Sequence, residues 1–162
     1  MNSDHPIRPE PRTRLRTAEE RRKDIQANAA ARGIDDAFID ELVERFYGRI
    51  RQHATLGPIF NQAIGDNWPP HLATMKKFWA SVAMNMGTYS GKPVPAHKKH
   101  TTIERKHFAI WLGLFRQTLE DMSPSALTVA YFMERAERIA QSLQLALFGI
   151  PGLEPAGTTP ER

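Results

Sequence analysis

Apolar residues in this chain recur three and four positions apart, and no stretch alternates apolar with polar. That property restricts the chain to helices. A spacing near 3.6 lays apolar residues along one helical face, whereas a half-buried strand needs a period of two. The clearest case is Phe38, Ile39, Leu42, Val43, Phe46, Tyr47 and Ile50, with Asp35 or Asp36 placed to cap the helix. Leu56-Gly57-Pro58 is expected to end that segment, and Ile59-Phe60-Asn61 to lead into a turn. From about Pro70 a second stripe follows, made of Leu72, Met75, Trp79, Val82, Ala83 and Met86. Pro69 or Pro70 suits its first turn, where a missing N–H goes unnoticed. Phe108, Trp111, Leu112, Phe115, Leu119 and Met122 mark a third, over about 104–122. The last is expected to start with Ser123 as cap ahead of Pro124 and to run to about Phe148. Its inward residues are Leu127, Met133, Ala136, Ile139, Ala140, Leu143 and Leu147. Gly149 and Pro151 stop it. An earlier helix, roughly Ala18 to Arg32, has capping-box spacing at Thr17 and Glu20, and Gly33 closes it. It consists mostly of charged residues and alanines, so loose packing is expected. With no internal repeat, the chain reads as all-α.

A chain of 162 residues suits one domain with a sizeable core. The expected division is an arm over 1–16, a domain over 17–149 with the helix of 17–33 appended, and a tail over 150–162. Arm and tail have the Pro-, Gly- and Arg-rich makeup of disorder. The absence of cysteine excludes disulfides, thiolate metal sites and Cys nucleophiles. A metal would have to use His, Asp, Glu or a cofactor's own donors. No apolar run approaches the ~18–20 residues of a membrane span, and the N-terminus lacks a signal peptide's apolar core. A soluble, cytoplasmic protein with no membrane partner is expected. The net charge of +4 suggests nucleic acid until it is located. Residues 1–32 hold eight Lys/Arg against five Asp/Glu, and the remainder holds fourteen against thirteen. The excess sits in the arm, where a phosphate-binding domain would carry it on its core. Nucleic acid is therefore not the expected partner.

The stretch with most chemistry runs from Gly91 to Phe115, GKPVPAHKKHTTIERKHFAIWLGLF. Pro93 and Pro95 each fix φ and push the preceding residue towards extended conformations, so His97 follows a rigid corner. Such a histidine is either structural or aimed inward at a metal or buried partner. Tyr47 lies on an apolar face, where it is either core with its hydroxyl satisfied locally or a donor into a cavity. His71, at the edge of its stripe, is either exposed or able to swing inward as a gate. Phe46, Tyr47, Phe60, Phe78, Trp79, Phe108, Trp111 and Phe115 cluster in the segments flanking His97. They can fill one another as an ordinary core. Alternatively, a dry pocket with one imidazole below and N–H or O–H donors above is what a haem with a gaseous ligand needs.

The runs FYGRIRQHATLGPIFNQAIGDNW, HLATMKKFWASV, GTYSGKPVPAH, HFAIWLGLFRQTL and RAERIAQSLQLAL follow one another in unbroken order. Over about Phe38 to Leu147 the chain resembles the group III truncated haemoglobins. The double-glycine motifs of the other truncated groups are missing, as group III implies. The resemblance implies a truncated globin fold, two helices on two around haem b (iron protoporphyrin IX). It implies that His97, in Gly91-Lys92-Pro93-Val94-Pro95-Ala96-His97, is the proximal ligand of the metal. Tyr47 matches the distal tyrosine and Trp111 the tryptophan whose indole N–H reaches the ligand. His71 matches a distal histidine that gates entry. Phe60 matches the phenylalanine that wedges the haem, and Phe78 and Trp79 match aromatics packing beside it. The chain departs from the family in its long arm and in His100, which is close enough to contest the axial role; the spacing from histidine to tryptophan fits His97. His5, His53 and His107 carry no assigned role.

The expected function is binding of O2, NO or CO at the iron. Negative charge builds on bound dioxygen, and each charge-assisted bond from a fixed donor contributes ~1.5–3 kcal/mol. Tyr47 and Trp111 both offer such a donor, so slow release is expected. Slow release suits O2, NO or peroxide chemistry better than bulk transport. NO dioxygenase- or peroxidase-like turnover, with an electron-donating reductase as partner, follows from that reading. A non-catalytic gas sensor or O2 carrier, its arm contacting a partner, is one alternative. A cofactor-free helical interaction domain is another.

Overall fold

A computed structural model describes residues 15–84, 91–122, 125–150 and 152. These form seven helices: α1 (Ala18–Ala31), α2 (Asp36–Gln52), α3 (Leu56–Ile64), α4 (Trp68–Met84), α5 (Pro93–Lys98), α6 (Arg105–Met122) and α7 (Ala126–Phe148). No strand occurs among the described residues, and no helix is long and apolar enough to cross a membrane. The expected arm before Leu15, most of the expected tail, and Met86, Ser123 and Pro124 lie outside the described residues.

The starts of α1 and α2 follow the side-chain chemistry. Thr17 Oγ1 accepts from the Glu20 N–H at 3.2 Å while the Glu20 carboxylate accepts from the Thr17 N–H at 2.8 Å, which completes a capping box. Gly33, at φ +74°, takes the left-handed turn that ends α1 and lets the Ile34 N–H reach the Ala29 carbonyl. Ala29 is the single buried residue of α1, so the helix does pack loosely, against α4. Asp35, not Asp36, caps α2 and accepts from the Phe38 N–H at 2.8 Å. Ile39, Leu42, Val43, Phe46, Tyr47 and Ile50 are buried, as the spacing predicts.

Two proline signals mean the opposite of what the sequence suggests. Leu56-Gly57-Pro58 opens α3 instead of stopping a helix. Pro58 is the third helical residue, where an N–H has no partner within the helix to lose. Gly57 is needed for close approach, because a Cβ there would stand 2.7 Å from the Arg51 carbonyl oxygen. Thr55 makes no capping bond, and His53 takes over: its Nδ1 accepts from the N–H groups of Thr55 and Leu56 at 3.1 and 3.2 Å. The corner ahead of His97 is likewise a short helix, α5, with Pro93 at its first position and Lys92 extended before it.

At α7 the cap is Ser125, whose hydroxyl accepts from the Thr128 N–H. Leu127 is 71% exposed rather than inward. The buried arc runs through Val129, Phe132, Met133, Ala136, Ala140 and Leu143. Leu127 lies two residues from Val129, about 200° around the helix, and so faces away.

Helices α2 and α4 pack as one pair, α6 and α7 as the other, with α2 crossing α6 and α5 resting on α7. Rings bind the pairs together. Phe115 stacks on Trp79 at 4.7 Å and on Trp111 at 5.7 Å, and meets Phe46 edge-on at 5.0 Å. On the outside, Arg49 of α2 hydrogen-bonds Thr118 and pairs with Asp121 of α6.

Candidate functional site

The two helix pairs do not close on each other everywhere. Between them lies a cavity of about 520 Å³ to which α2 through α7 all contribute. That volume falls within the ~300–1,000 Å³ of small-molecule and cofactor sites. Its walls are chiefly apolar, with Leu56, Ile59, Phe60 and Ile64 of α3 and Ile139, Ala140 and Leu143 of α7 among them. No carboxylate lines it. Tyr47, Phe60, His71, Phe78, Trp79, His97 and Trp111, from five helices, all border this one space.

His97 reaches the cavity from α5, half-buried. Its Nδ1 lies 2.6 Å from the Pro93 carbonyl oxygen, one helical turn back. A carbonyl can only accept, so Nδ1 carries the proton and donates. The Nε2 lone pair is left free, the arrangement by which a protein orients an imidazole as a metal ligand. His100 and His107 also border the cavity. The backbone N–H of Glu104 donates to His107 Nδ1, which fixes that ring locally. No comparable bond orients His100 among the described residues.

Tyr47 and His71 adjoin each other, and Trp111 borders the same cavity. Tyr47 is buried, 5% exposed, and borders the cavity. Burial raises its phenol well above the ordinary value, so it remains a neutral O–H donor. His71 meets the Tyr47 ring edge-on at 5.4 Å, and its Nε2 is buried without a partner. Its imidazole is held below the usual range, first by burial and then by its electrostatic interaction with the neighbouring His97. Trp111 is pinned from behind by the parallel ring of Phe115. An unsatisfied polar atom such as His71 Nε2 beside an apolar space is costly unless something there meets it.

Trp68, outside the cavity lining, backs Tyr47 and His71, a contact that sequence reasoning missed. Its ring meets His71 at 5.6 Å and Tyr47 at 6.0 Å, while the Arg51 guanidinium covers it at 4.6 Å on the outside. Its position three residues before His71, on one helical face, was the available signal.

Among the described residues there is no group of three or more His, Asp or Glu side chains able to hold a bare metal ion. A metal in this cavity would need to bring most of its own donors, as the iron of a porphyrin does. The apolar slot, one back-bonded imidazole and the orphaned His71 nitrogen at the same cavity fit that group.

Helices paired two over two around such a slot define a shortened globin. No family model matches the chain. The chain is 34% identical over 122 residues to the group 3 truncated haemoglobin ctb of Campylobacter jejuni, a match spanning 74% of this chain and 95% of that protein. The crystal structure of a group III truncated haemoglobin from Campylobacter jejuni superposes with a TM-score of 0.67, covering 71% of this chain and 92% of the other. The chain belongs to the group III truncated haemoglobins.

Proposed function

We propose that the protein seats haem b in the cavity, where His97 Nε2 would hold the iron and the iron would bind O2, NO or CO. The hydrogen bond from His97 Nδ1 to the Pro93 carbonyl carries this reading, because it points a free lone pair into an apolar slot. Haem supplies an iron that takes a diatomic ligand and exchanges electrons. Phe60, Phe78 and Trp79 line the cavity and would pack against that group, and Tyr47 and Trp111 would donate to the bound ligand. His71 stands beside Tyr47 and governs entry. Two donors in a water-poor pocket retain an anionic ligand, which suits O2, NO or peroxide chemistry better than delivery.

Haem titration of the wild type and His97→Ala tests the proposal. Wild type should give a sharp Soret band and a ferrous–CO spectrum of an imidazole-ligated haem. His97→Ala should lose both and regain them with added imidazole. Spectra unaltered in His97→Ala, or lost instead in His100→Ala, would overturn the axial assignment. Rapid NO consumption by the oxygenated protein would support turnover, and its absence a sensor or carrier.

A further inference from the structure

Between Asp66 and Glu104 the chain contains no Asp or Glu. That span includes Lys92, Lys98 and Lys99, which bracket α5 and are all exposed. None of the three pairs with a described carboxylate. The other described Lys and Arg residues between 33 and 150 are all engaged. Arg45, Arg49, Lys76, Lys106, Arg116 and Arg138 pair with carboxylates. Arg51, Arg105 and Arg135 rest on rings or a carbonyl, and Lys77 has a partner too. The unengaged cations of this part of the protein thus gather beside one feature, the helix that carries His97. Lys92 borders the cavity itself, while Lys98 and Lys99 lie outside its lining.

We propose that Lys92, Lys98 and Lys99 form the docking surface for an acidic electron-donor protein, one carrying a reduced flavin or iron–sulfur centre. The proposal rests on the haem reading above, since it is the ferric cofactor that accepts the electron. One electron leaves the donor and one reaches the haem iron; the lysines exchange neither proton nor group. They raise the rate of encounter and aim the donor at the cavity's edge. Two other anionic partners fit less well. A nucleic-acid footprint commonly takes ~6–10 phosphate contacts, more than this cluster offers. Binding to an anionic membrane surface calls for apolar residues beside the charge. The exposed large apolar side chains of the described residues are Leu15, Leu127, Leu145 and Ile150, none of them in this segment.

The test uses full-length, haem-loaded ferric protein under CO, reduced in a stopped-flow instrument by reduced flavodoxin, an acidic donor. The wild-type rate should fall steeply as salt rises. The double variant Lys98→Glu/Lys99→Glu should be slower by about tenfold or more at low salt and nearly indifferent to salt. Lys98→Arg/Lys99→Arg should keep wild-type behaviour. Reduction by the methyl viologen radical, a small cation, should not slow in either variant. A flavodoxin rate indifferent to both salt and charge reversal overturns the proposal. So does a charge-reversed protein that keeps its flavodoxin rate but loses binding to phosphatidylglycerol vesicles or to oligonucleotide, which would give the patch to lipid or nucleic acid. Protein that takes up no haem sinks the cofactor reading and this proposal together, whereas haem-loaded protein failing the reduction assay sinks this proposal alone.

Discussion

The carbonyl that orients His97 belongs to its own short helix, so the tautomer is set by four residues of backbone and not by a distant partner. That detail was out of reach in the sequence. The i to i−4 contact exists only if Pro93–Lys98 is helical, and two prolines in six residues suggested a corner. Tyr47, His71 and Trp111 were legible because each lies on or at the edge of an apolar stripe yet carries a polar atom. Trp68 was not, since its contacts join α4 to Tyr47 on α2. Tyr47 gives the sharpest prediction at this scale. With its phenol raised by burial it stays protonated at any working pH, so Tyr47→Phe removes one neutral donor and little else. A charge-assisted bond of ~1.5–3 kcal/mol corresponds to about 10- to 150-fold faster O2 release. Flash photolysis or stopped-flow displacement measures it, and an unchanged off-rate excludes Tyr47 as donor. His71 makes a second. Its folded-state imidazole binds protons less readily than an unfolded one, whose ordinary value is 6.5. As pH falls through 6.5 the unfolded chain therefore takes up the proton first, and stability is lost from that pH downward. Denaturation midpoints of His71→Gln should decline less than those of wild type below pH 6.5.

Among the helices, amphipathic spacing was enough to locate α2, α4, α6 and α7, because burial of one face dominates their stability. Boundaries depend instead on which side of a Gly or Pro the helix lies, and both residues serve at starts as well as stops. Gly57-Pro58 shows why local sequence could not decide. The glycine is required by the Arg51 carbonyl, a contact created only when α3 folds back on the end of α2. Ser125 and Leu127 of α7 shifted for a similar reason, since the arc that faces α6 determines which residues are inward. The Gly57 contact is testable. In Gly57→Ala the added methyl meets backbone, which cannot rotate away as a side chain could. A loss of roughly 1–3 kcal/mol is expected in urea denaturation, the usual range for overpacking. A midpoint within experimental error of wild type would mean that the α2–α3 junction is loose. The change should also reduce haem retention, because α3 supplies Phe60 and much of one cavity wall.

For the molecule as a whole, the cavity means that the polypeptide alone does not complete its own core. Six of the seven helices contribute to a largely apolar space of about 520 Å³, and the rings of Tyr47, Trp79 and Trp111 border it. In an ordinary helical bundle such faces would close on one another. Here α3 rests on α2 and α6 and α5 rests on α7, and both line the gap. A ligand that fills that gap binds only the folded chain, so it must stabilise folding by mass action. Free haem at 1,000 times its dissociation constant would contribute about 4 kcal/mol. For a domain of this size that is roughly 8–16 °C in melting temperature. Scanning calorimetry on apoprotein and on protein with increasing haem should show the transition climbing by that amount, with His97→Ala giving a smaller rise. The α1 helix should melt with the rest only in part, since a single alanine anchors it. A melting temperature that haem leaves unmoved would show that the two helix pairs close without an occupant, and the cavity would then lose its role as the centre of the fold.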